Sequence, residues 1–180
     1  MHTPWLTGNL KLGSCLLHYY FSEHVFLTGD VDIKQYGTPP KETITAGLLL
    51  KNEEGETPLH FAVLAKTLHM IPSELLTKDS MLVKDKYGVT PLHHAAEVGI
   101  LDKLPRELLT EELLSTKDSN GHSPLHCADD WGTLDQLLGI AFSPAIIAQV
   151  GQAWYNKNAN IVSQKNLPSQ DQAHTDLELF

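Results

Sequence analysis

The sequence predicts a helical repeat array, and three observations carry that prediction. A tetrad recurs: Thr57-Pro58-Leu59-His60, Thr90-Pro91-Leu92-His93 and Ser123-Pro124-Leu125-His126 stand at a constant spacing of 33 residues. Small residues hold the same register around it, with Gly55, Gly88 and Gly121 before the tetrads and Ala62, Ala95 and Ala128 after them. Each tetrad also opens with the chemistry of a helix start. A fixed period between about 20 and 50 residues marks a chain built from stacked copies of one supersecondary unit.

Taken in order, each unit begins at a turn whose glycine (55, 88 or 121) is expected to adopt positive φ, a region open to a residue without Cβ. Thr57, Thr90 and Ser123 are good N-cap residues. Pro58, Pro91 and Pro124 follow at the first helical position, where the missing amide donor costs nothing. Leu92, Ala95 and Ala96 recur at helical spacing, and the alanines permit close approach of neighbouring helices. Gly99 and Gly132 close that helix. A second series lies between the tetrads: Pro72-Ser73-Glu74-Leu75-Leu76-Thr77 matches Pro105-Arg106-Glu107-Leu108-Leu109-Thr110, and Lys84-Asp85 matches Lys117-Asp118, again 33 apart. Upstream, Pro39, Lys51 and Asn52 keep this register, while Glu42 and Thr45 are displaced by one residue.

At these residues the chain resembles the ankyrin repeat, whose signature is Thr-Pro-Leu-His-x-Ala at the same period. The resemblance runs from Pro39 to Leu138. It implies an all-α solenoid in which a hairpin-like turn precedes two antiparallel helices in every unit, the units stacking into a curved array. The second helix departs from the family pattern. Pro105 interrupts it, and an interior proline costs about 3 kcal/mol. Leu101–Leu104 is therefore expected as a short turn, Pro105–Leu109 as a fresh helix, and Thr110 as the cap of a further turn through Leu114. Pro72 stands at the equivalent place, so the interruption belongs to the repeat type. Residues 1–38 and 139–166 are expected to be degenerate terminal caps. Within the first of these, Leu17-His18-Tyr19-Tyr20 has the look of a decayed first helix. Residues 167–180 are expected to be a disordered acidic tail.

Composition narrows the function. Of 180 residues, 42% are apolar and 19% charged, which suits a globular fold and excludes a wholly disordered chain. Thirteen basic against 22 acidic residues leave a net charge of −9. Phosphate recognition requires clustered Lys and Arg, so neither nucleic acid nor an anionic membrane surface is an expected partner. No run approaches the roughly 18 apolar residues of a membrane span. Two cysteines, Cys15 and Cys127, cannot staple a secreted domain, and there is no basic leader before Leu16. The expected setting is cytoplasmic, with export by a signal-less route left open.

The chemistry-bearing residues point away from catalysis and cofactors. His60, His93 and His126 are strictly periodic, but stacked units hold equivalent residues about 10 Å apart. A zinc ion needs ligands within about 2.0–2.3 Å of one centre. In ankyrin repeats this histidine hydrogen-bonds within its own turn and to the neighbouring repeat. Cys127 follows His126 directly, and consecutive helical residues diverge by about 100°, too far to pair as nucleophile and base. No metal, cofactor or catalytic residue is expected, with an active site in the unmatched residues 1–38 as the rival reading.

The resemblance implies that turn tips and the exposed side of the first helix form a concave, partner-binding face. Its positions fall on Glu53, Glu54 and Glu56 in the first unit, with Leu64 and Ala65. The second supplies Lys86, Tyr87, Val89, Glu97 and Val98, and the third Ser119, Asn120, His122, Asp130 and Trp131. Two aromatics among carboxylates suit a protein partner with a basic surface and an apolar centre. The competing reading packs Trp131 under the C-terminal cap and leaves the acids as solvated surface. A delivered effector or inhibitor of a foreign protein would use the same face as an ordinary scaffold.

Overall fold

The computed structural model describes residues 16–22, 37–137, 148 and 151. Among these residues the chain forms seven α-helices and no strand. The helices are α1 (Leu16–Ser22), α2 (Lys41–Gly47), α3 (Pro58–Leu64), α4 (Lys78–Met81), α5 (Pro91–Glu97), α6 (Glu111–Leu114) and α7 (Pro124–Asp130).

The first helices begin where the tetrads predict. Thr57, Thr90 and Ser123 all take extended N-cap backbones, and each has proline just inside the helix. Consecutive first helices pack side by side, α1 on α3, α3 on α5 and α5 on α7. Leu17, Leu59, Leu92 and Leu125 are fully buried in the seams, and Ala62, Ala95 and Ala128 are buried with them. Burying a leucine in this way stabilises by about 1.5–3 kcal/mol relative to exposure.

α1 therefore occupies the place of a first helix, although Cys15-Leu16 stands where the tetrads have Thr-Pro or Ser-Pro. His18 Nε2 contacts the Glu56 carbonyl at 3.1 Å. The same bond links His60 to Val89 and His93 to His122. The first of these bonds spans 38 residues and the others 29, so the first unit is nine residues longer. That insertion hides α1 from a period of 33.

First helices end on a shared device. The residue after the C-cap turns left-handed, at φ +71° in Gly99, +69° in Gly132 and +59° in Lys66. The next amide then reaches back to the helix, Thr67 N–H to the Ala62 carbonyl at 2.8 Å and Ile100 N–H to that of Ala95 at 3.0 Å. Lys66 does this despite its Cβ.

The second halves correct one expectation. Pro105–Leu109 does not open a fresh α-helix. Pro105 is extended (ψ 136°), only Arg106–Leu108 closes a single 3-10 turn, and Leu109 leaves helical geometry at ψ 46°. The α-helix restarts at Glu111, after Thr110 caps it by accepting the Leu113 N–H at 3.4 Å. Pro72, Ser73–Leu75 and α4 repeat the pattern, with Thr77 as cap. Leu101–Lys103 is a second 3-10 turn, in keeping with the short turn expected at Leu101–Leu104. Leu101, Leu104, Leu108, Leu113 and Leu114 still reach the core. Exposed ion pairs cross this side from unit to unit, Lys41 to Glu74 and Lys78 to Glu112. Such pairs contribute about 0–1 kcal/mol each. The expectations for residues 139–166 and 167–180 fall outside the described residues apart from 148 and 151.

Candidate functional site

The turn before each first helix is built by one side chain. Asn52 Oδ1 accepts the N–H groups of Glu54 and Glu56 at 3.0 and 2.9 Å. Asp85 does the same for Tyr87 and Val89, both at 2.8 Å, and Asp118 for Asn120 and His122 at 2.9 and 2.8 Å. Backbone bonds from Asn52 to Glu56, Asp85 to Val89 and Asp118 to His122 close the three fingers. Burial opposes charge on Asp118, but the amides of His122 and Asn120 win and hold its carboxyl below the usual range.

Neighbouring fingers are zipped together. Lys86 N–H donates to the Glu54 carbonyl and Ser119 N–H to that of Tyr87, each at 2.9 Å. Gly88 is required here: its φ is +76°, and a Cβ would stand 2.9 Å from the Ser119 nitrogen. Lys51 Nζ caps the Lys84 carbonyl and Lys84 Nζ that of Lys117, both at 2.7 Å. The fingers thus form a rigid row from which side chains at 53–56, 86–89 and 119–122 project.

Most of the expected face residues stand exposed: Glu53, Glu54, Lys86, Tyr87, Asn120, His122, Asp130 and Trp131. Tyr87 is 57% and Trp131 64% exposed. Trp131 is the C-cap residue of α7. Six are half-buried, Leu64 and Ala65 among them, and the other four have structural duties or partners. Glu56 accepts from Asn52 Nδ2 at 2.9 Å within its finger, and Val98 packs on the core. Glu97 meets His94 Nδ1 at 3.2 Å, while the Val89 carbonyl receives His60. Glu54 is ion-paired with Lys86, whose ammonium also lies 5.1 Å from the Tyr87 ring centre. Donating a hydrogen bond to the Glu54 carboxylate holds the Lys86 ammonium above its ordinary range.

The slot after each tetrad, Phe61, His94 and Cys127, was not singled out in the sequence and is half-buried in the structure. Rings cross the helices there: His18 meets Phe61 edge-on at 5.6 Å, and His60 meets His94 edge-on at 5.9 Å. The available signal was the x of Thr-Pro-Leu-His-x-Ala, the one position inside the motif whose residue changes in every copy. Burial, with help from Glu97, Asp118 and Asp130, pushes the Cys127 thiol up to about 11. An acidic field thus reaches across α5 and α7. Among the described residues no group of His, Cys, Asp and Glu is arranged to hold a metal ion, and no helix is long and apolar enough to cross a membrane.

Stacked first helices joined by zipped fingers define a helical repeat protein. Residues 41–105 match the family model described as ankyrin repeats (3 copies), and the helical structure is consistent with an all-α ankyrin solenoid. No curated protein matches the chain. Ankyrin repeats are generally protein–protein interaction modules and typically non-enzymatic.

Proposed function

We propose that this chain binds a partner protein through the face made by its fingers and first helices. The observation that carries the proposal is the exposure of Tyr87 and Trp131 there. Among the described Phe, Tyr and Trp side chains these two are the exposed ones, and neither is needed to hold the stack. Aromatic side chains of this size are the usual anchors of protein interfaces. Asp129 and Asp130 precede Trp131, and Glu53, Glu54 and Glu97 extend the negative potential, which favours a basic partner with an apolar centre. A zipped, preformed surface loses little conformational freedom on binding.

Affinity capture with the intact chain, set beside Tyr87→Ala and Trp131→Ala, tests the reading. A partner retained by the parent and lost by both folded variants supports it. Equal retention by all three places the contact elsewhere. Glu53→Gln and Asp130→Asn are the cleaner charge variants, because Glu54→Gln would also release Lys86 from its ion pair.

A further inference from the structure

The first-helix histidines bridge neighbouring units, and their partners dictate their protonation. His60 Nδ1 receives the Thr57 backbone N–H at 3.0 Å, and a peptide N–H can only donate, so that nitrogen carries no proton. His60 Nε2 lies 3.4 Å from the Val89 carbonyl oxygen, which can only accept, so the proton sits there. His93 repeats both contacts, with the Thr90 N–H at 3.2 Å and the His122 carbonyl at 3.2 Å. His18 adds the bridge to Glu56, and His126 Nδ1 takes the Ser123 N–H at 3.3 Å. His18, His60 and His93 thus tie their helices to the following finger, and in His60 and His93 both bonds hold only for a neutral imidazole protonated at Nε2. A second proton on Nδ1 would face the N-cap N–H and break the start of the helix.

We infer that this ladder of neutral imidazoles makes the coupling between repeats acid-labile, so that mild acidification loosens the fingers from the first helices. The finger that His60 ties to α3 is the one that carries Tyr87, so the loss of stability reaches the projecting face. The effect belongs to the free chain and needs no partner.

The surroundings of His60 and His93 fix the direction of each. Burial is the main reason that His60 is pushed down to about 4, and His94 of α5, Lys51 before the first finger and His18 of α1 add repulsion. The Val89 carbonyl pulls the other way and loses. His93 is also lowered by burial, with His94 and Lys84 adding to it. The His122 carbonyl and Asp118 oppose. A histidine lowered in the folded state is protonated first in the unfolded chain. Stability is therefore full above the unfolded value near 6.5 and is lost as pH falls toward 4. From His60 alone the unfolding equilibrium constant should rise about 20-fold between pH 7 and pH 5. Carboxylates titrate mainly below this window, near pH 4.

The test is urea unfolding of the full chain at pH 7, 6 and 5, together with an NMR titration of the His60 ring nitrogens. Glutamine can place a non-titrating donor near the Val89 carbonyl, so His60→Gln is the variant to compare. The parent should lose stability by about 20-fold or more in the unfolding constant, and His60→Gln should remove most of one such factor. The His60 ring should remain the neutral Nε2–H tautomer in the folded chain at pH 5. A pH-independent unfolding midpoint, or a His60 ring that titrates near 6.5 while the chain stays folded, overturns the inference. The ring titration decides on the parent chain even where His60→Gln does not fold.

Discussion

Replacing Lys66 with glycine should stabilise the chain. Lys66 closes α3 at φ +59°, while the equivalent residues closing α5 and α7 are Gly99 and Gly132. A residue with Cβ pays about 1–2 kcal/mol in the left-handed region. The glycine variant recovers that strain but adds about 0.4–1 kcal/mol of conformational freedom to the unfolded chain. The net gain is about 0.5–1 kcal/mol. The hydrogen bonds that define the turn, Lys66 N–H to Val63 and Thr67 N–H to Ala62, use backbone only and survive the change. The Lys66 side chain is exposed, so little packing is lost with it. Urea unfolding followed by circular dichroism should show a higher midpoint with an unchanged slope. The reverse change, Gly99→Ala, should lower it, since the new Cβ would stand 2.9 Å from Gln136 Nε2 as well as adopting φ +71°. A lower midpoint for Lys66→Gly would refute the assignment of this turn.

Leu92 is fully buried between α3 and α7, and Leu92→Ala should cost about 2–5 kcal/mol in the same unfolding assay; an unchanged midpoint would remove Leu92 from the core. Gly88→Ala should cost about 2 kcal/mol or more, from positive φ and the contact with the Ser119 amide, with faster amide exchange in the second and third fingers. With its thiol pushed up to about 11, Cys127 should react with iodoacetamide roughly a hundredfold more slowly at pH 8 than an ordinary cysteine, and faster as pH rises toward 11. Zinc or a chelator should leave the melting temperature unchanged, because both nitrogens of His60 and His93 are already engaged with the backbone; a stoichiometric bound metal would contradict that.

Legibility in the sequence followed the physics of each element. Thr-Pro starts, buried leucines and the finger glycines are local requirements, so they repeat with the period and can be read directly. α1 was only half visible, because its unit is nine residues longer and lacks the Thr-Pro start, leaving Leu17-His18 as the trace. The second halves were harder. After Pro105 the chain has helix-forming residues, yet the extended proline and Leu109 prevent an α-helix until Thr110 offers a cap. Tyr87 and Trp131, read in the sequence as face positions, stand exposed. The duties of Glu56 and Val98 could not be foreseen, because they depend on bonds and packing within one finger and one seam.

The most direct measurement of the central claim is amide hydrogen exchange on the captured complex against the free chain. Binding through the fingers and first helices predicts protection at residues 53–56, 86–89, 94–98, 119–122 and 127–131. It predicts none at 73–81 and 106–114, where the short second helices and their ion pairs lie. Protection confined to those second-helix segments, with the fingers exchanging as in the free chain, would contradict the account.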